Sequence, residues 1–340
     1  MPSLMEAEAK SAPEAVARQL AADAPRWAEL GAVLRAAPPP AVLTIARGSS
    51  DHAAAYLAYL AMARLGRPVV SLPMSLVTLY NAPLAVARML AVAISQSGQS
   101  PDVVETLRGL GGAGATTVAL VNDTGSPLAA AASWCFGLAA GPERSVAATK
   151  SYIASLLAAA RLVGHWQDDP ALLCHLRELP DHLARAARAD WSAALPLLAP
   201  SQRVLLVSRG LGLPIAQEAA LKLKETCGLH AEAFSGAELR HGPMALVAAG
   251  VPVLVLAMRG PTLPGLVALA ADLRAQSGSV LLAAPDGVPG RDLPMPGTSA
   301  PDLDPIAAVQ AFYGLAAALA EARGLDPDQP PNLSKVTRTL

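Results

Sequence analysis

Four stretches of this chain carry side chains able to do chemistry. The first is Ser95-Gln96-Ser97-Gly98-Gln99-Ser100, which offers three hydroxyls, one glycine and a run of backbone amides. Placed at the start of a helix, such a loop is a cradle for a dianion. No Gly-Lys-Ser/Thr follows, so it is not a Walker loop, and a monophosphate on a small molecule fits it better than a triphosphate. Its plain structural alternative is a serine-rich N-cap turn. The second stretch is Arg47-Gly48-Ser49-Ser50-Asp51-His52. Gly48 and Ser49 offer amide donors there, and Ser50 or Asp51 is expected to cap a helix. Asp51 and His52 are candidates for proton transfer, with capping and a helix-face position as their ordinary roles.

The third stretch, Glu143 to Lys150 (ERSVAATK), places Ser145 where it would cap a long helix, so that the backbone at Val146 and Ala147 meets ligand at a helix start. The fourth is the densest, from Lys222-Leu-Lys224-Glu225 to Glu238-Leu-Arg240-His241-Gly242-Pro243. Glu225 ends an otherwise apolar helix face, a setting suited to a general base. His241, on a loop before Gly-Pro, is suited to shuttling protons near neutral pH. Taken singly, each also reads as a solvated helix residue or a structural loop histidine.

Alternating apolar strands and helices must position these groups. Strands are predicted at 41–46, 68–72, 90–95, 116–121 and 133–138, with helices over 11–35, 52–65, 101–110 and 145–163. The pattern restarts with strands at 203–208, 251–258 and 279–284 and helices over 213–229, 261–276 and 305–323. Residues 230–236 read as too polar and irregular for a helix. Continuous apolar strands alternating with helices predict an α/β fold with a parallel sheet covered on both faces. Both serine loops then lie at the carboxyl edge of one sheet, where open α/β sheets bind ligands. Arg47-Gly48 and Arg209-Gly210 each follow an apolar strand, as do Gly98 and Gly260, each pair separated by the same 162 positions (209 − 47; 260 − 98). Equal offsets in equivalent contexts point to two copies of one α/β unit, and 340 residues suffice for two domains. The expected division is 1–190, 191–325 and a tail at 326–340.

Charge narrows the function. Lys plus Arg is 26 against 27 Asp plus Glu, a net charge of −1, which argues against a non-specific nucleic-acid binder. Apolar residues make up 53%, so extended disorder is excluded. Three scattered cysteines fit neither a disulfide framework nor a zinc site. The run 245–258, interrupted by Gly250 and Pro252, is shorter than the roughly 18 residues a membrane span requires. With no apolar signal segment at the N-terminus, the expected location is the cytoplasm, with no membrane or nucleic-acid partner.

Together, SQSGQS, ERSVAATK, ALKLKETCGLHAEAFSGAELRHGP (220–243) and DQPPNLSKVT (328–337) resemble the sugar isomerase (SIS) family, and within it the isomerase half of glucosamine-6-phosphate synthase. The likeness runs in order over about residues 40–340. It implies two SIS domains, each a flavodoxin-like five-stranded parallel sheet flanked by helices. It also implies a homodimer with sites at the subunit interface; no metal or organic cofactor is expected, because an enolamine can form by acid–base work alone. A hexose 6-phosphate would be held by Ser95, Gln96, Ser97 and Ser100, with Ser49, Ser50, Val146 and Ala147 close by. Glu225 matches the base that moves a proton between C1 and C2, and Lys222 a polar partner beside it. His241 matches a ring-opening histidine reaching into the partner subunit's site, and Lys335 a tail lysine that forms a Schiff base with the keto sugar.

Arg47, Asp51, Gln99 and Ser100 depart from the synthase pattern, and ARGSSDHAA is similar instead to stand-alone SIS-type glucosamine-6-phosphate deaminases. With only a few dozen residues before the first predicted strand, no counterpart of the amidotransferase half is expected. The expected reaction is therefore the deamination of glucosamine 6-phosphate to fructose 6-phosphate and ammonia. Two alternatives stand beside it: another phosphosugar aldose–ketose isomerase or fructosamine-6-phosphate deglycase, and a non-catalytic phosphosugar-binding regulator.

Overall fold

The computed structural model describes residues 3–277 and 279–335. The chain forms two compact units that interleave along the sequence. The serine-loop unit takes in Glu14–Glu143, Lys150–Arg177 and the tail from Ser334; the glutamate unit takes in the segment up to Pro13, Arg144–Thr149 and Glu178–Leu333.

The serine-loop unit holds a parallel sheet of β1 (Val42–Ile45), β2 (Val69–Ser71), β3 (Leu90–Ser95), β4 (Thr116–Val121) and β5 (Trp134–Gly137), in the order β2-β1-β3-β4-β5. β1 and β3 are buried throughout, as helix-covered parallel strands are. The strand order reverses between them, which makes their carboxyl ends the topological switch point. Ile45 pairs with Ala93, so two residues further on Arg47 and Ser95 leave the sheet at the same height.

Helices differ from expectation at three starts. The stretch read as one helix over 11–35 is two, Ala12–Ala21 and Ala24–Ala36, parted at Asp23, whose φ of 55° is left-handed. Pro25 lacks an amide to continue the first helix and suits the first turn of the second. The helix expected from 52 begins at Ser49 and runs to Leu65; Gly48 is its N-cap, and neither Ser50 nor Asp51 caps it. The long helix expected from Ser145 begins at Lys150 and runs to Gln167. Ser145 does not cap it. Glu143 satisfies its first turn instead, accepting from the Ser151 amide at 3.1 Å and the Ser151 hydroxyl at 2.5 Å. This helix is buried along nearly its whole length, which accounts for its apolar residues on every face.

The glutamate unit holds β6 (Arg203–Ser208), β7 (His230–Ser235), β8 (Val253–Leu256), β9 (Val280–Ala284) and β10 (Leu293–Pro294). Its parallel order is β7-β6-β8-β9-β10, the same topology as the first sheet. β6 therefore corresponds to β1 and β8 to β3, which is the repeat read from the equal offsets. β7 is the edge strand that the polar segment 230–236 concealed. It buries Ala231 while His230 and Glu232 stay exposed, because an edge strand with a solvated face tolerates charge. At the second switch point Arg259 stands where the repeat puts Ser97. It binds both carboxylate oxygens of Asp304 at 2.7 Å and the Thr298 carbonyl at 2.6 Å. A protein ion pair occupies the position that the first sheet gives to a hydroxyl. The segment Pro301–Ala322 is long and apolar enough to cross a membrane, yet 89% of its most apolar window is buried within the protein, as in a core helix.

Candidate active site

In the serine-loop unit, β3 delivers the loop 95–100 to the start of the helix Pro101–Gly112. The Ser95 hydroxyl accepts from the Gly98 amide at 2.9 Å, and the Ser97 hydroxyl from the Gln99 amide at 3.3 Å. Gly98 has a φ of 64°, and a β-carbon there would stand 2.1 Å from the Ser126 hydroxyl oxygen. The loop is thus a tightly folded turn that only glycine permits. Ser100 is the N-cap residue of the helix, yet its side chain makes no capping hydrogen bond, leaving the hydroxyl for another partner. The adjacent turn places Ser49 and Ser50, both half-buried, in the first helical turn after Gly48. Burial pushes the Asp51 carboxyl up, against the opposing pull of His52 and Arg47. Perturbed carboxyls of this kind concentrate at functional sites.

Lys335 belongs to the same unit. Its Nζ lies 3.0 Å from Oε2 of Glu143, whose side chain is fully buried. A carboxylate on this amine can receive the proton that a lysine must lose before it attacks a carbonyl. The tail residues Val336 and Thr337 of the DQPPNLSKVT motif lie outside the described residues.

In the glutamate unit, the helix Leu213–Cys227 lines up Glu218, Lys222 and Glu225 on one face at spacings of four and three. Lys222 is 1% exposed and pairs with both: its Nζ is 3.5 Å from Glu218 Oε1 and contacts Glu225 Oε2 directly. Glu218 is fully buried and lies 3.5 Å from the Tyr313 hydroxyl. Glu225, 22% exposed, is the member that reaches solvent. It borders a cavity of about 390 Å³, lined also by Leu221, Leu325, Gln329, Pro331 and Leu333. The tail segment on this cavity is anchored by Asp328, whose carboxylate accepts from the amides of Leu4 and Met5 at 2.7 Å each. Holding a buried lysine between two glutamates is costly unless the geometry is used, and it presents one carboxylate with a fixed cation behind it.

Val146 and Ala147 lie in the segment Arg144–Thr149, which Glu8 secures by accepting from the amides of Arg144 at 2.6 Å and Ser145 at 3.2 Å. His241 is exposed on the turn Glu238–His241, and no hydrogen bond joins it to the Lys222–Glu225 pair among the described residues. Each unit therefore gathers part of the predicted set: the serines and Lys335 in one, Lys222 and Glu225 in the other. Two residues went unpredicted. Glu218 was legible as the third acid–base member of a helical face; Glu143 was not, because it meets Lys335 across 192 positions of chain. No cluster of three or more His, Cys, Asp or Glu side chains among the described residues could hold a metal ion.

A family model described as the SIS domain matches residues 38–163 and 197–283. The chain is 37% identical over 317 residues to the isomerizing glutamine–fructose-6-phosphate aminotransferase of Aeropyrum pernix, covering 86% of this chain and 50% of that protein. Its counterpart from Thermus thermophilus is 33% identical over 329 residues, covering 90% of this chain and 53% of that protein. The chain spans about half the length of the curated relatives it matches. Among solved structures, a Silicibacter pomeroyi DSS-3 protein provisionally assigned as a phosphosugar isomerase superposes with a TM-score of 0.91 at 40% identity, over 96% of this chain and 100% of that one. A glucosamine-6-phosphate deaminase from Thermotoga maritima shares the fold, with a TM-score of 0.79 at 20% identity, over 99% of this chain and 100% of that one. With two sheets of one topology and both switch points inside the matched segments, this chain belongs to the SIS domain family.

Proposed function

We propose that this protein is a phosphosugar isomerase/deaminase that converts glucosamine 6-phosphate and water to fructose 6-phosphate and ammonia. The observation that carries the reading is the Glu225 carboxylate at the edge of a cavity, backed by the buried Lys222. Further support comes from the ARGSSDHAA stretch and from relatives named for fructose 6-phosphate chemistry.

In this reading Ser95, Gln96, Ser97 and Ser100 anchor the phosphate, Ser49, Ser50, Val146 and Ala147 border the sugar, and His241, lent by the partner of a homodimer, assists ring opening. Glu225 removes the C2 proton of the open-chain aldehyde, giving an enolamine, and returns a proton to C1. The product is a ketimine at C2 with a hydroxymethyl C1. Water adds to C2 and ammonia leaves, giving the ketone. In a parallel route the Lys335 amine displaces ammonia at C2, its own proton passing to Glu143, and water then releases the sugar. General acid–base steps of this kind contribute about 10²–10⁴-fold.

Glu225→Gln is expected to lower turnover by about that factor while fructose 6-phosphate still binds. A variant with near-normal ammonia release would overturn the assignment of the base. Ammonia measured across a panel of hexose 6-phosphates, amino sugars and fructosamine 6-phosphates decides the substrate. Interconversion without ammonia would make the protein a plain aldose–ketose isomerase, and binding without any turnover a regulator.

A further inference from the structure

The phosphate cradle has a charge problem. Residues 95–100 bring hydroxyls and amides but no cation. Asp102 follows in the first turn of the same helix, buried, so an unpaired carboxylate there would repel the dianion that the helix start attracts. Arg47 answers that charge from the other side of the switch point. Its Nε and Nη2 lie 3.0 and 2.9 Å from Asp102 Oδ2, while Oδ1 accepts from the Val103 amide at 2.9 Å. The Asp102 side chain is 1% exposed and that of Arg47 is 57% exposed, so the buried acid holds a cation that stays open to solvent. The pairing uses one edge of the guanidinium and leaves Nη1 without a hydrogen bond among the described residues. The β1–β3 register brings Arg47 off the sheet level with Ser95. Asp51 and His52 stand on the same turn and also interact electrostatically there.

We propose that Arg47 is the cation of the phosphate subsite and sets its preference for a phosphorylated sugar, with Asp102 as the residue that positions it. This rests on the phosphosugar reading above and adds a recognition group that the hydroxyl loop itself does not supply. A planar guanidinium held at one edge is pre-organised to donate to a phosphate oxygen from the other.

The test uses the full chain, with inorganic phosphate as a competitive inhibitor and glucosamine 6-phosphate as substrate. Arg47→Gln combined with Asp102→Asn replaces the ion pair by neutral amides of similar shape. It is expected to raise both the phosphate Ki and the substrate KM by about tenfold or more, with the effect falling on KM rather than kcat. Arg47→Lys keeps a cation and should retain most of the phosphate affinity; it carries the test if the double variant fails to melt cooperatively, since equal weakening in Arg47→Lys and Arg47→Ala would then refute a charge-based role. A folded double variant that binds phosphate as tightly as the unmodified protein, or one that loses kcat with KM unchanged, overturns the proposal. Insensitivity of the unmodified protein to phosphate would instead overturn the phosphosugar reading, and this inference with it.

Discussion

Gly98 carries more of the candidate site than any serine around it. Its left-handed φ bends the loop so that the Ser95 hydroxyl meets its amide, and its missing β-carbon leaves room for Ser126 and Val121. Gly98→Ala is expected to destabilise the chain by about 2–4 kcal/mol, from left-handed strain together with overpacking. Phosphate binding should weaken with it, because relieving the clash moves the loop amides. Thermal melts and phosphate inhibition check this, and unchanged values in both would show that the loop is not the tight turn described. At this scale the hydroxyl loop and Glu225 were legible from residue types and their place on strand and helix ends, and Lys222 as a polar partner from the family resemblance. Glu143 was not, since a carboxylate beside Gly-Pro gives no sign of the lysine it will hold.

At the scale of elements, the helix Lys150–Gln167 packs its His165 ring against Trp27, with centroids 6.3 Å apart, while Arg35 donates to the His165 carbonyl. Burial, with Arg161 and Arg35 close by, lowers the His165 pKa to about 4 from an ordinary 6.5. The unfolded chain then binds more protons than the folded one between those values. Stability contributed by the neutral ring is fully present above pH 6.5, falls as pH drops toward 4, and levels off below. His182, also held below its ordinary value by burial and Arg185, adds to the same slope. Denaturant midpoints measured from pH 7 to 4.5 should decline, and His165→Leu should shrink that decline; an identical decline in the variant would refute the assignment. Element types were largely legible from apolar runs. Three helix starts were not, two of them because Glu143 rather than Ser145 satisfies the first turn of Lys150–Gln167, and Gly48 rather than Ser50 is the N-cap of Ser49–Leu65.

At the scale of the whole molecule, the proposed phosphosugar reading makes a sugar phosphate a ligand of the native state, which it should therefore stabilise. At 100-fold excess over its Kd, fructose 6-phosphate is expected to add about 2.7 kcal/mol to the unfolding free energy. A melting curve indifferent to sugar phosphates would count against the site. The amino-acid sequence alone determined that two parallel-sheet units repeat along the chain, because apolar runs and the glycines of left-handed turns are local requirements that leave local marks. It also determined which serines, glutamates and lysines were worth following. Only the tertiary structure decided that 230–235 is an edge strand, that Lys335 meets Glu143, that Asp102 holds Arg47 and that the second switch point is filled by Arg259 and Asp304. Those are pairings between residues far apart in the chain, set by burial and register, and neither periodicity nor spacing encodes them.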